Sequence, residues 1–246
     1  MHIAAMFFAL LLMMPGTVAA QPPSPQASAS PAVAQSGGGE WDVYVNQQDS
    51  FTVNFPGQPK ITEMTWKSQL GYMLPARVYS AEKGREKYTV TVVNFAPLEE
   101  QGIARWKACP PGNAQCRDGG ATIGPGYWKQ DERGAMAYAA AQYIKNPAYD
   151  VTDYAWDWQD MVEGFHLQLN SKGTRTMVYI AMHDRKLYIL EAAVPEDYPE
   201  PGLFTHSMGY LDKEGKRIRY TETVYSNSYH GLGVYPRPQY RVSEAQ

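Results

Sequence analysis

The sequence predicts an α+β fold, an antiparallel β-sheet flanked by helices. Three observations carry this. Two blocks of alternating apolar and polar residues, 41–95 and 150–195, are broken by polar turns of hairpin length. An alanine-rich run with helical spacing, 131–146, separates the blocks. A second, shorter helix signal follows Pro201 and precedes a last strand. Strand blocks divided by a helix argue for a layered sandwich rather than a closed barrel.

The chain opens on MHIAAMFFALLLMMPGTVAA, an apolar run from Ile3 to Met14 that closes on Val18-Ala19-Ala20. This layout predicts a secretory signal over residues 1–20, cleaved between Ala20 and Gln21. The run falls short of the ~20 apolar residues that a membrane span needs, so no stable span is expected after cleavage. No cysteine sits at the cleavage point, which disfavours a lipid anchor. Residues 21–39 are dominated by Pro, Ser, Ala, Gln and Gly and carry no charge. Too little apolar surface is available there to offset the entropy of ordering, so the segment reads as a disordered linker. Residues 40–246 then form one domain of ordinary size, ending in an irregular Tyr-rich tail, 221–246.

Within the domain, WDVYVN places Trp41, Val43 and Val45 on one face, and FTVNF does the same with Phe51, Val53 and Phe55. Pro56 has no amide proton for a ladder and Gly57 supplies a turn, so the second strand must finish at Phe55. KITEMTW and YMLPARVYSA read as the third and fourth strands, with Pro75 asking for an edge position or a bulge. EKYTVTVVNF is β-branched and almost continuous, the pattern of a central strand buried on both faces.

From Ala96 to Lys129 the periodicity dissolves into a long irregular insertion. It holds the chain's two cysteines, Cys109 and Cys116, around PPGNAQ. In an oxidising compartment a lone pair this close predicts a disulfide, since zinc would need more ligands and a redox pair usually reads C-x-x-C. DERGAMAYAAAQYIKN reads as a helix with Met136, Ala140, Tyr143 and Ile144 on one face, stopped by Asn146-Pro147. YDVTDYAWDWQD fits a strand with Tyr154, Trp156 and Trp158 on one face, or a helix with Asp150, Asp153, Asp157 and Asp160 aligned. Its residues are mediocre helix formers, so we assign a strand. GFHLQLN, TRTMVYIAMH and KLYILEAAV follow as a meander, turned by SKG and DR. PEPGLFTHSMGYL suggests a short helix after Pro201 and KRIRYTETV a last strand.

A Trp-opening strand, then F-x-V-x-F-P-G-x-P and a long strand pair, resembles the N-terminal half of bacterial secreted proteins of PsbP-like fold. RKLYILEAAVPEDYPEPGLFTHSMGYL is similar to the closing unit of that group, with Leu187, Tyr188, Phe204 and Ser207 at its marked positions. The resemblance implies an α/β/α sandwich and an accessory, assembly or binding role. It supplies no catalytic residues and no cofactor, and fold alone does not give function.

The remaining chemistry is sparse. A net charge of −3 without a basic patch argues against nucleic acid as a partner. His166, His183, His206 and His230 remain after cleavage; His166 and His183 fall on neighbouring strands, with Asp184 beside the second. HSMG lacks the preceding glycine and strand of a nucleophile elbow, and the four aspartates at 150–160 lack calcium-loop spacing. Eighteen tyrosines and six tryptophans exceed what such a core requires. They either pack between sheet and helix with hydroxyls reaching water, the reading we prefer, or form a sugar- or protein-binding surface. Two functions stay in view. One is a periplasmic or secreted, non-catalytic module that binds an envelope protein or small ligand without a cofactor. The other is a periplasmic hydrolase with a His/carboxylate site.

Overall fold

A computed structural model describes residues 41–112, 127–227 and 239–240. The predicted signal 1–20, its cleavage point Ala20–Gln21, the linker 21–39, Cys116 and most of the tail beyond 227 lie outside the described residues.

The chain runs β1 (Asp42–Asn46), β2 (Phe51–Phe55), β3 (Lys60–Lys67), β4 (Met73–Lys83) and β5 (Glu86–Asn94), then α1 (Leu98–Lys107), α2 (Trp128–Arg133) and α3 (Ala135–Ile144). β6 (Asp150–Gln159), β7 (Val162–Ser171), β8 (Thr174–His183) and β9 (Lys186–Pro195) follow. α4 (Gly202–Thr205), β10 (Gly209–Leu211), β11 (Arg217–Arg219) and β12 (Gln239–Tyr240) close the order. A seven-stranded antiparallel sheet, β3-β4-β5-β9-β8-β7-β6, forms the middle layer. A smaller antiparallel sheet, β1-β2-β10-β11-β12, packs on one of its faces, and the three helices between β5 and β6 supply the other.

The class is the α+β one expected, with antiparallel sheet and flanking helices. The finer layering differs from a helix–sheet–helix sandwich. β1 and β2 leave the main sheet, and only the single turn of α4 joins them on that face. Phe51, Val53 and Phe55 are fully buried and meet Val90 and Val92 in the core between the sheets. A second core, with Leu74, Val93, Leu167 and Ile180, meets Met136, Ala139 and Ala140 of α3.

Three hairpins join β6, β7, β8 and β9, and each uses a two-residue turn with both residues at positive φ: Asp160–Met161, Lys172–Gly173 and Asp184–Arg185. Such turns match the right-handed strand twist, which is why two residues suffice. Only one of the six is glycine, so the other five sit in a region that L-residues enter at a cost.

Some local expectations need correction. Val43 and Val45 share a face of β1, but it is the solvent face. Pairing Tyr44 opposite Val53 turns Tyr44 inward onto Phe51, Phe55 and Tyr79. Pro75 is neither on an edge strand nor at a bulge. It pairs with Thr65 of β3, while β5 pairs with β4 only from Ala76 onward, so no β5 bond needs its missing N–H. The insertion from 96 contains α1, which opens after Pro97 with Glu99 and Glu100 and closes with Arg105 and Lys107. The expected helix at 131–146 is two, divided at Gly134. Ile144 is exposed rather than on the buried face.

Candidate functional site

His166 and His183 are not brought together. In the β7–β8 ladder His166 stands opposite Tyr179, four residues from His183 along β8, so the two histidines are ~13 Å apart. His183 lies in a cage of Tyr210, Tyr220 and Tyr225, its Nε2 2.8 Å from the Tyr220 hydroxyl. Burial, aided by Lys186, pushes its pKa down to about 3, so it stays a neutral imidazole. Asp184 is exposed, and its backbone N–H donates to the Tyr225 hydroxyl at 3.0 Å. Ser207, in the HSMG stretch, accepts from Asn54 N–H and donates to the Phe204 carbonyl, a tie between α4 and β2. Tyr188 and Phe204 are buried beside it in the same core, and Leu187 in the other. The expected Cys109–Cys116 bond involves a residue outside the described set.

Two charged clusters escaped the sequence reading. A cleft of about 560 Å³ opens between the β1–β2 turn and the face of β3, β4, β5 and β9, with Glu63, Arg77, Asn94 and Lys186 in its wall. Asp49, in the polar connection between β1 and β2, is buried there and bonded twice by Arg77 and once by Tyr79. The Tyr188 hydroxyl donates to its backbone carbonyl at 2.8 Å, and Lys186 Nζ donates to Ser50 Oγ at 2.9 Å. These groups pin the small sheet to the large one. Within the cleft Asp49 and Arg77 neutralise one another.

Glu132 of α2 is the second cluster. It is 0% exposed, and neither carboxylate oxygen has a hydrogen bond among the described residues. Its ion partner is Arg185 Nε at 3.4 Å. Burial lifts its pKa to about 7 against the pull of Arg185, with Glu99 and Asp184 adding to the rise. Among the described residues no group of three or more His, Cys, Asp or Glu could hold a metal ion.

The aromatic face that the sequence places on 154–158 has a different character. β6 is an outer strand of the main sheet, paired on one side with β7. Tyr154, Trp156 and Trp158 stand in a row on its helix-side face, 49%, 55% and 57% exposed. Buried Phe165 supports them from β7, with ring centroids 5.5 Å from Tyr154 and 4.4 Å from Trp156. α3 packs chiefly over β7, β8 and β9, and the row stays open. Tyr79, Tyr88, Tyr188 and Tyr210 are packed, but between the two sheets rather than between sheet and helix, and Tyr79, Tyr88 and Tyr188 give their hydroxyls to protein groups rather than to water. Tyr154, Trp156 and Trp158 are not packed in this way.

No protein-family model matches the chain, and no curated protein sequence matches it. Among solved structures, the chain is similar to the solution structure of cyanobacterial PsbP (CyanoP) from Synechocystis sp. PCC 6803. The TM-score is 0.34 at 10% identity, over 71% of this chain and 89% of that one. This is a weak resemblance of fold. Among the described residues no helix is long and apolar enough to cross a membrane.

Proposed function

We propose that the mature chain is an exported, non-catalytic binding or accessory module of the envelope, and that β6 is its binding surface. One observation carries the reading. Three large aromatic side chains lie in a row, about half exposed, on a strand whose outer side no described strand pairs. Solvating such a row has a cost that a partner removes, and Tyr and Trp are the residues that supply binding area with little loss of rotamer freedom. The tyrosine cage around His183, whose ring bonds the Tyr220 hydroxyl rather than a carboxylate, favours this reading over the hydrolase alternative.

Export belongs to the same reading. The protein recovered from the envelope should begin at Gln21 on N-terminal sequencing, and alkylation without reductant should find no reactive thiol at Cys109 or Cys116. An intact Met1 in a cytoplasmic fraction would end the export proposal; two reactive thiols would end the disulfide.

The binding surface is tested by capture from an envelope extract with tagged mature protein, wild type against Trp156→Ser/Trp158→Ser. Both positions are exposed, so the variant should keep its circular dichroism spectrum while losing what the wild type retains. Equal capture by the two proteins overturns the assignment of β6.

A further inference from the structure

We propose that β6 binds by strand addition, and that its occupant is an extended polypeptide segment alternating basic and apolar residues. This rests on the reading of β6 as the binding surface and names what it takes.

The backbone sets the geometry. Gln159 and Val162 flank the two-residue turn Asp160–Met161, so they close the hairpin as a hydrogen-bonded pair. Alternation along an antiparallel ladder then directs the N–H and C=O groups of Asp157, Ala155 and Asp153 to β7. Those of Trp158, Trp156 and Tyr154 point the other way, off the sheet. The bond from Trp158 N–H to the Asp157 carboxylate, 2.7 Å, agrees: among the described residues this outward donor meets its neighbour's side chain rather than a strand. The residues that bear the aromatic row are therefore the ones that offer an open ladder.

Edge strands that are meant to stay unpaired are commonly guarded by lysine, proline or a bulge along their length. The opposite edge, β3, carries Lys60 and Lys67 at its ends and Glu63 between them. β6 has neither lysine, arginine nor proline, and its one register shift, between Val151 and Asp153, lies beyond the aromatic row. An added strand could run from Tyr154 to Trp158 without interruption.

Charge selects the occupant. Side chains alternate across a strand, so Asp153 and Asp157 occupy the face opposite the aromatic row. A second copy paired through β6 would set these aspartates beside one another, and like charges on adjacent strands repel. A segment with Lys or Arg on that face and Val, Ile or an aromatic on the other satisfies both. Its carbonyl would also replace Asp157 at the Trp158 N–H and release that carboxylate to pair with the incoming cation.

The test uses the mature protein and an alternating Lys-Val peptide matched in length to β6, with a Glu-Val peptide and a centrally proline-substituted Lys-Val peptide as comparisons. Titration is followed by backbone amide shifts and by hydrogen exchange. The Lys-Val peptide should bind, protect the Tyr154 and Trp156 amides, and weaken about tenfold between low and physiological salt. Asp153→Asn/Asp157→Asn should weaken it by a similar factor and leave the fold unchanged, and neither comparison peptide should bind. Equal binding of Glu-Val overturns the charge selection, and binding of the proline-substituted peptide overturns strand addition. If no peptide binds while Trp156→Ser/Trp158→Ser still abolishes capture, or if a soluble glycan binds there instead, the inference falls and β6 remains the binding surface. If the tryptophan variant captures normally, both fall.

Discussion

Glu132 and His183 are moved in opposite directions by the same cause, burial of a group that would rather carry charge in water. Their effects on stability oppose one another. Glu132 keeps its proton to about pH 7 when folded, against 4.5 for the ordinary group. Across that window the folded state holds more protons than the unfolded one, so Glu132 makes stability fall as pH rises, by at most roughly 3 kcal/mol. His183 is neutral above about pH 3 when folded and above 6.5 when unfolded. The folded state then holds fewer protons, and stability rises with pH until the upper value is passed. Replacing Glu132 by Gln removes the first slope and leaves the second. The variant should gain on the wild type by about 1–3 kcal/mol in urea unfolding between pH 5 and pH 8. Parallel curves over that range would show that Glu132 titrates normally. Neither residue's role was visible in the sequence, because each depends on what lies above it: α2 packs Glu132 against a turn 53 positions later, the one that carries Arg185.

The elements were more legible than their faces. Every strand from β1 to β9 answers to an alternating or β-branched run, and the turns SKG and DR sit where the sequence places them. The choice of strand over helix for β6 holds, because Asp, Trp and Tyr gain little from a helix. What the pattern could not say was which face of β1 is buried, since the register against β2 decides that. Nor could it say that the aromatic face of β6 stays open, since that depends on which strands α3 chiefly packs over. α1 was overlooked although Glu99, Glu100, Arg105 and Lys107 mark its two ends in the order a helix dipole favours. The turns offer a test of element-level reasoning. Lys172 has φ 46° and precedes Gly173 at φ 78°, the pair of conformations that Asn-Gly adopts most readily. Lys172 is exposed, so Lys172→Asn changes the turn and little else. It should stabilise the domain by about 0.5–1 kcal/mol, read as a higher urea midpoint at unchanged slope. Arg185→Gly relaxes a similar strain but removes the ion partner of Glu132, and it should show no such gain. A Lys172→Asn midpoint at or below the wild type would show that the turn is not under strain.

At the scale of the whole molecule, both ends of the domain meet in one small sheet, because β2 pairs with β10 as well as with β1. The chain then continues around the rim of the large sheet. Tyr220 N–H donates to the Asp160 carbonyl, and Tyr225 exchanges backbone bonds with Met161 and Glu163. Tyr220 and Tyr225 cover His183 on the side of the small sheet. Ser226 bonds Glu163, and Asn227 Nδ2 reaches the Glu132 carbonyl at 2.9 Å on the helix side. Residues 220–227 thus tie both cores across the same end of the sheet, which is more than the irregular tail expected from 221 onward. A chain ending at Arg219 would lose two buried aromatic side chains, each worth about 3–5 kcal/mol when truncated, together with these bonds and the pairing of β12 with β11. A domain of this size has a net stability of about 5–15 kcal/mol, so the loss is comparable with the whole. The shortened chain should therefore fail to give a cooperative thermal transition. Tyr225→Phe keeps the ring and loses only the hydroxyl that accepts from Asp184 N–H, so it should melt cooperatively with a loss of about 1–2 kcal/mol. The contrast separates a segment that completes the fold from one that merely rests on it. A chain ending at Arg219 that melts cooperatively near the wild-type temperature would place 220–227 in the second class.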